Sequence, residues 1–398
     1  MSLAKLVPVS RIKYLTKIRD ITIDDFTFRL HYRFTFSFLL IGSLLLTGEQ
    51  FFGKPIQCLQ GKEGTVPRKV IESFCWIEGT FTLPKGLLKI IGFEVAAPGI
   101  EQYKEFIEEA KHEKDEVISH SYYQWVGVVL FLQALCFYVP HLLWKIWEKG
   151  QIQRIINDLN KIILTAKKRN EEQSGLVDYL YRNQGRNNAY AFRYFLCEVF
   201  NLFNIIIQMI FVNAFLGGEF SSYGLDVLRF LDDDPAVRID PMTRVFPKMT
   251  KCTFRKFGPS GDVQKFDHLC MLPLNILNEK MFIVFWFWFY IVLIFSIISV
   301  IYRMIVIGFP RSRYLLLGTF HRMADSDDVD VVVSSCKYSD WFLIYLLSEN
   351  LDKMHYRDVI SQLAYKIQNG GNDEIRNGDI KGDDLIDEND MEKLESKV

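Results

Sequence analysis

Four cysteines fall as two matched pairs. Cys58 and Cys75 are 17 residues apart, and Cys252 and Cys270 are 18 apart. Each pair sits between apolar spans, so the chemistry open to it is oxidation to disulfides on the oxidising side of a membrane. Four cysteines allow three pairings, and the spacing leaves all three open. Cys136 and Cys197 lie inside apolar spans and Cys336 in a charged segment. These three are expected to stay free.

No other constellation carries covalent chemistry. The seven His are scattered without metal-ligand spacing. Neither a phosphate loop nor a nucleophile elbow occurs. The expectation is a chain that is not an enzyme and uses no cofactor and no metal. A net charge of −1 argues against a nucleic-acid partner.

Two groups of polar residues remain. Glu198, Asn201, Asn204 and Gln208 recur at helical spacing inside an apolar run. Such groups need partners or water in hydrocarbon, which means hydrogen bonds between helices or contact with a water-filled pore. From Glu101 to Glu116 there are seven acids and three bases. The pattern reads as a solvated helix face or as an acidic vestibule that concentrates cations. Within it, Glu101, Glu105, Glu108 and Glu109 lie on overlapping helical faces.

The elements that must position these residues are four spans, since a bilayer core takes about 20 apolar residues. Met281–Tyr302 is the clearest and carries no charge. Trp125–Trp147 contains Pro140, Phe195–Leu216 contains the polar stripe, and Phe34–Phe52 is the shortest. Transmembrane helices are therefore placed at 34–52, 123–147, 194–216 and 281–307, in a predominantly polar remainder. Within about 15 residues of the span ends, one side carries Arg19, Arg29, Arg33, Lys145, Lys149, Arg154, Arg182, Arg186, Arg193, Arg303, Arg311 and Arg313. The other carries only Lys54, Lys62, Arg68, Lys111, Lys114, Arg229 and Lys280. Basic residues favour the cytoplasm, so residues 1–33, 148–193 and 308–398 are expected inside, and loops 53–122 and 217–280 outside. All four paired cysteines then face the exterior.

Between 148 and 193, Ile152, Ile155, Ile156, Leu159, Ile162 and Ile163 have helical spacing. After the last span, Ser339-Asp340 reads as the cap of a helix through Leu351, followed by a second helix at about 356–367. Residues 369–398, with ten acids and four bases, read as a disordered acidic tail. The fold class is an all-α membrane protein: a four-transmembrane-helix subunit with disulfide-linked extracellular loops and a helical cytoplasmic region.

Several motifs resemble those of the innexins, the invertebrate gap-junction proteins. Tyr122-Tyr123-Gln124-Trp125-Val126 looks like the family's signature pentapeptide, ahead of Pro140 in the same span. Phe28-Arg29-Leu30-His31-Tyr32, Gly53-Lys54-Pro55-Ile56, Cys75-Trp76, Phe246-Pro247 and Leu272-Pro273-Leu274-Asn275 also fit. So does Ser339-Asp340-Trp341-Phe342. The match covers about residues 20–368. The basic first 19 residues and the acidic tail depart from the family pattern.

The resemblance implies a multi-pass plasma-membrane protein of cell–cell junctions. Its partners would be like or related subunits in a ring of eight, a docked ring on the neighbouring cell, and membrane lipid. It also implies the pairing Cys58–Cys270 and Cys75–Cys252, which joins the two outer loops into one docking surface. The ring would pass ions and small molecules between cells. The alternatives are an undocked hemichannel and, in a different class, a four-span adhesion or scaffold protein. The residues expected along the pore are Leu3, Leu6, Val7 and Val9 of the N-terminal segment, then Glu49, Glu101, Glu105, Glu108 and Glu109.

Overall fold

A computed structural model describes residues 21–60, 66–101, 117–156, 166–232, 240–320 and 325–369. In chain order the elements are α1 (Phe26–Phe52), β1 (Gln57–Cys58), α2 (Arg68–Glu78), β2 (Thr80–Thr82), β3 (Ile118–His120) and α3 (Val126–Glu148). Then come α4 (Gln151–Ile156), α5 (Ala166–Arg182), α6 (Asn188–Phe215), α7 (Phe220–Asp232) and α8 (Pro241–Val245). The hairpin β4 (Met249–Phe257) and β5 (Val263–Met271) leads into α9 (Pro273–Gly308). The chain closes with α10 (Pro310–Phe320), α11 (Ser326–Ser335), α12 (Tyr338–Asn350) and α13 (353–369).

Helices α1, α3, α6 and α9 are long and apolar enough to cross a membrane. Three of them begin earlier than the apolar runs suggest, α6 at Asn188. Helix α1 starts at Phe26, because Phe28, Leu30 and His31 are buried and extend its inner face. Residues Leu30–Thr35 wind as a wider π turn, where the Thr35 hydroxyl donates to the Leu30 carbonyl at 2.9 Å. Helix α9 starts at Pro273, a residue suited to a first helical turn. The polar residues that follow find protein partners. Asn275 donates to the Pro247 carbonyl at 2.8 Å, and Asn278 to Asn275 at 3.1 Å. Buried Glu279 lies between Lys248 and Lys280 at 3.1 and 3.2 Å.

The chain divides into two compact units. The first gathers Arg29–Pro140 and Phe200–Ile297. It contains a five-stranded antiparallel sheet of order β1-β5-β4-β2-β3, whose strands come from both sides of the α3–α6 stretch. None of these strands was expected from the sequence. Three are only two or three residues long, too short for alternation to register. An aromatic core in this unit includes Phe137, Phe220, Tyr223, Phe246, Phe282, Phe285 and Phe289. Helix α7 lies so close to α9 that a Cβ on Gly224 would come within 2.2 Å of the Trp286 ring.

The second unit gathers the chain up to Phe28, His141–Val199 and the chain from Ile298 onward. Helix α12 is its centre, with Trp341, Phe342, Leu343, Ile344, Leu346 and Leu347 all buried. Glu148 ends α3 and caps α4, its carboxylate accepting from the Gly150 and Ile152 amides at 2.6 and 2.8 Å. Ile152 and Ile156 are buried as their spacing suggests, whereas Leu159, Ile162 and Ile163 lie outside the described residues. Arg313 closes the end of α9, donating to the Val306 and Ile307 carbonyls at 2.9 and 2.6 Å. Ser339 and Asp340 do not cap α12, which already begins at Tyr338. Asp340 instead accepts from the Gly185 amide at 2.8 Å and the Asn187 amide group at 3.3 Å, holding the turn before α6. The second helix is longer than expected and reaches residue 369, and the tail beyond lies outside the described residues.

The close approach of α7 to α9 makes a specific demand. Gly224→Ala overpacks the Trp286 ring and is expected to lower stability by about 1–3 kcal/mol. Gly175→Ala, in α5 with nothing within 4 Å of the added carbon, is expected to raise it by up to about 1 kcal/mol. Thermal unfolding of the two purified variants measures both. Equal melting temperatures would contradict the packing.

Candidate functional site

The paired cysteines meet in one buried cluster. Cys58 is bonded to Cys270, and Cys75 to Cys252. The backbone brings the partners together: Cys58 and Cys270 are opposed across β1 and β5, while Cys75 sits on α2 facing Cys252 of β4. Ile56, Ile71, Tyr123 and Leu272 complete an apolar shell around the four sulfurs. The sulfurs of Cys58, Cys75 and Cys270 lie within 4.8 Å of one another. Each is already bonded, so none is a thiolate that could hold a metal.

The aromatic motif before α3 locks onto this cluster. Tyr123 is buried, stacks near Trp76 at 4.7 Å and donates to the Cys75 carbonyl at 3.3 Å. The Tyr122 hydroxyl donates to the Val245 carbonyl at 3.0 Å, and Gln124 donates to the Trp76 carbonyl. Trp125 points outward and is exposed. Pro140 is buried within α3, which continues past it as a helix.

A second cluster lies in the helical unit. Arg303, 1 % exposed, makes a two-pronged ion pair with Glu198 at 2.8 and 2.6 Å. It also pairs with Asp25. Rings of Tyr194 and Phe342 lie 5.2 and 5.3 Å from the guanidinium centre. A planar, always-charged group with five donors can satisfy two carboxylates at once, which an ammonium cannot do as well. Glu198 is therefore partnered between helices. Further along the stripe, Gln208 donates to Asn204 at 3.4 Å. Asn201 and Gln208 are buried within the chain rather than presented on an open face.

The innexin family model matches residues 24–367 of this chain. The chain belongs to the innexin family. It is 48% identical over 353 residues to innexin inx2 of Drosophila melanogaster, covering 89% of this chain and 94% of that protein. It is 43% identical over 357 residues to innexin inx2 of Schistocerca americana, covering 90% and 97%. To innexin shaking-B of Drosophila melanogaster it is 40% identical over 372 residues, covering 94% and 97%. Innexins are channel proteins of invertebrate gap junctions, and this chain is a gap-junction channel subunit of the plasma membrane.

Of the residues expected along the pore, Glu49 and Glu101 are among the described residues. Glu49 is exposed near the end of α1. Glu101 is outside any helix, and its carboxylate pairs with Lys89 while its carbonyl accepts from Lys251 at 2.9 Å. The pairing with Lys89 is something that a reading from acid spacing alone misses. Leu3, Leu6, Val7, Val9, Glu105, Glu108 and Glu109 lie outside the described residues. Cys136, Cys197 and Cys336 are free. Burial, aided by Asp340, pushes the Cys336 thiol up to about 12, so it is inert at neutral pH. Asp25 and Arg303 were missed as a pair. An Arg beside a span end reads as a flanking charge, and only the fold shows that it turns inward.

At the sheet, His120 is 4 % exposed and its Nε2 is 2.7 Å from the Thr82 hydroxyl. Burial pushes its imidazole down to about 4. The unfolded chain binds this proton from about pH 6.5 and the folded one only near 4, so stability is present above 6.5 and is lost as pH falls towards 4. The loss is expected to reach about 3 kcal/mol at most. Melting of the wild-type innexin and of His120→Gln between pH 7 and pH 4 tests this. The variant should show the shallower dependence, and identical slopes would contradict it.

Proposed function

We propose that the subunits form a closed ring, eight in number by family resemblance, and that two rings dock across adjacent cells. In this reading loops 53–122 and 217–280 are extracellular, and both termini are cytoplasmic. The basic bias at the span ends and the oxidised state of the loop cysteines both support that orientation. One observation carries the docking reading. Two disulfides and a shared sheet join loops that are separated by about half the chain. A loop pair made into one body presents a fixed face, and a fixed face loses little entropy on association. The tip of the β4–β5 hairpin projects Phe257 and Val263, 77 % and 54 % exposed. The chain also has no Asn-x-Ser/Thr acceptor, so no N-linked glycan obstructs that face.

Four spans per chain cannot enclose a wide pore, whereas a ring of copies can. Cyclic symmetry repeats each pore-facing charge once per subunit, and rings of Asp or Glu favour cations. We assign the N-terminal segment with Leu3, Leu6, Val7 and Val9 to the pore mouth. Glu49, Glu105, Glu108 and Glu109 are assigned to its acidic lining. Glu101 is a weaker candidate than its spacing suggests, because its carboxylate pairs with Lys89.

Dye transfer between paired cells tests this reading. Transfer is expected only when both cells express the chain. Uptake into single cells without transfer between pairs would favour the undocked hemichannel. Neither uptake nor transfer, with normal surface expression, would favour the adhesion or scaffold protein.

A further inference from the structure

Residues 22–25, the root of the N-terminal arm just before α1, are held by hydrogen bonds from several helices. Asn350, the last residue of α12 and 7 % exposed, binds Thr22 through both faces of its side-chain amide. The Thr22 amide donates to Asn350 Oδ1 at 2.7 Å, and Asn350 Nδ2 donates to the Thr22 carbonyl at 2.7 Å. The same Nδ2 group donates to the Leu346 carbonyl at 2.7 Å, which fixes the side chain on its own helix. The arrangement imitates one rung of a β-ladder, with a side chain standing in for a strand.

The next residues are held in turn. Trp144 at the end of α3 donates from Nε1 to the Ile23 carbonyl at 3.1 Å. The Asp25 amide donates to the Tyr194 hydroxyl at 2.9 Å, and the Asp25 carboxylate pairs with Arg303. Helices α3, α6, α9 and α12 therefore each hold the stretch 22–25 by at least one named bond. Three of these four are spans. Helix α12 is not, and it reaches the stretch through Asn350 alone among the bonds named here.

We propose that Asn350 is a positioning residue for the pore. Through it the helices after the last span set where the N-terminal arm leaves the bundle. This rests on the reading that residues 2–9 line the pore mouth. A change in α12 or its neighbours is then transmitted to the arm by a two-bond contact at Thr22, without moving a span. Asn suits the role because it offers a donor and an acceptor together. Asp would keep the acceptor and lose the donors. Leu would keep the volume and lose both.

The experiment uses the full-length channel in nanodiscs and in paired cells, with Asn350→Leu and Asn350→Asp beside wild type and a variant lacking Ser2–Val9. Surface expression is measured for each. Hydrogen exchange at the amides of residues 22–25 reads the contact directly, and single-channel recording reads the pore. Asn350→Leu removes two bonds to the root, so exchange there should rise roughly tenfold. Open probability or unitary conductance should shift in the direction seen for the Ser2–Val9 deletion. Asn350→Asp should lie between wild type and Asn350→Leu in both readouts. Unchanged exchange would overturn the proposal, because α12 would then not hold the root. Raised exchange with wild-type currents would overturn it too, provided that the deletion alters conductance. A deletion with no effect on conductance would remove the pore reading itself, and the positioning role with it. If Asn350→Leu fails to reach the surface, the comparison of Asn350→Asp with wild type decides between the same outcomes.

Discussion

Two covalent links between distant parts of the chain set the terms for the rest of the sheet unit. Cys58–Cys270 and Cys75–Cys252 span 212 and 177 residues of sequence. They force β1 of one loop beside β5 of the other, and α2 onto β4. Once those contacts are fixed, short strands that could not persist alone become parts of a common sheet. The aromatic motif before α3 then has a surface to close against. Tyr122, Tyr123 and Gln124 all bond to backbone carbonyls near the bridges or across to α8. The bridges thus position the start of a span as well as the loops.

The helical unit solves a different problem, that of a charge kept from water. Arg303 is acceptable there because Glu198 and Asp25 both reach it and aromatic rings flank it. Removing either carboxylate would leave the others mismatched, and a buried charge without its partner is strongly destabilising. The three residues come from α9, α6 and the stretch before α1. The same side chains therefore bind the chain's beginning to its last span, which matters for a protein whose N-terminal segment is proposed to enter a pore.

The spans were legible because a long apolar run has few other uses, and Met281–Tyr302 carries no charge at all. Their ends were less so. Asn275, Asn278 and Glu279 looked like loop residues, yet each finds protein partners inside α9. The cysteines announced disulfides but left three pairings, and the family motifs singled out the one that the structure contains. Three of the five strands were hidden by lengths of two or three residues, while β4 and β5, nine residues each, lie in the loop that stood out for its cysteines. Glu198 stood out as a carboxylate in hydrocarbon, while its partner Arg303 resembled an ordinary flanking base. Asn350 carried no signal, since a helix-terminal Asn is common and its contact lies 328 residues away in sequence.

The two units, one braced by disulfides and one by an ion cluster, suit a subunit that must keep its shape while surrounded by copies of itself. Neither device encloses a pore alone. The enclosure has to come from assembly, and the most direct measurement is an image of the purified particle viewed along its symmetry axis. A closed ring of identical subunits around a central water-filled opening is the expected result. A particle with no central opening, or with one or two copies of the chain, would contradict it.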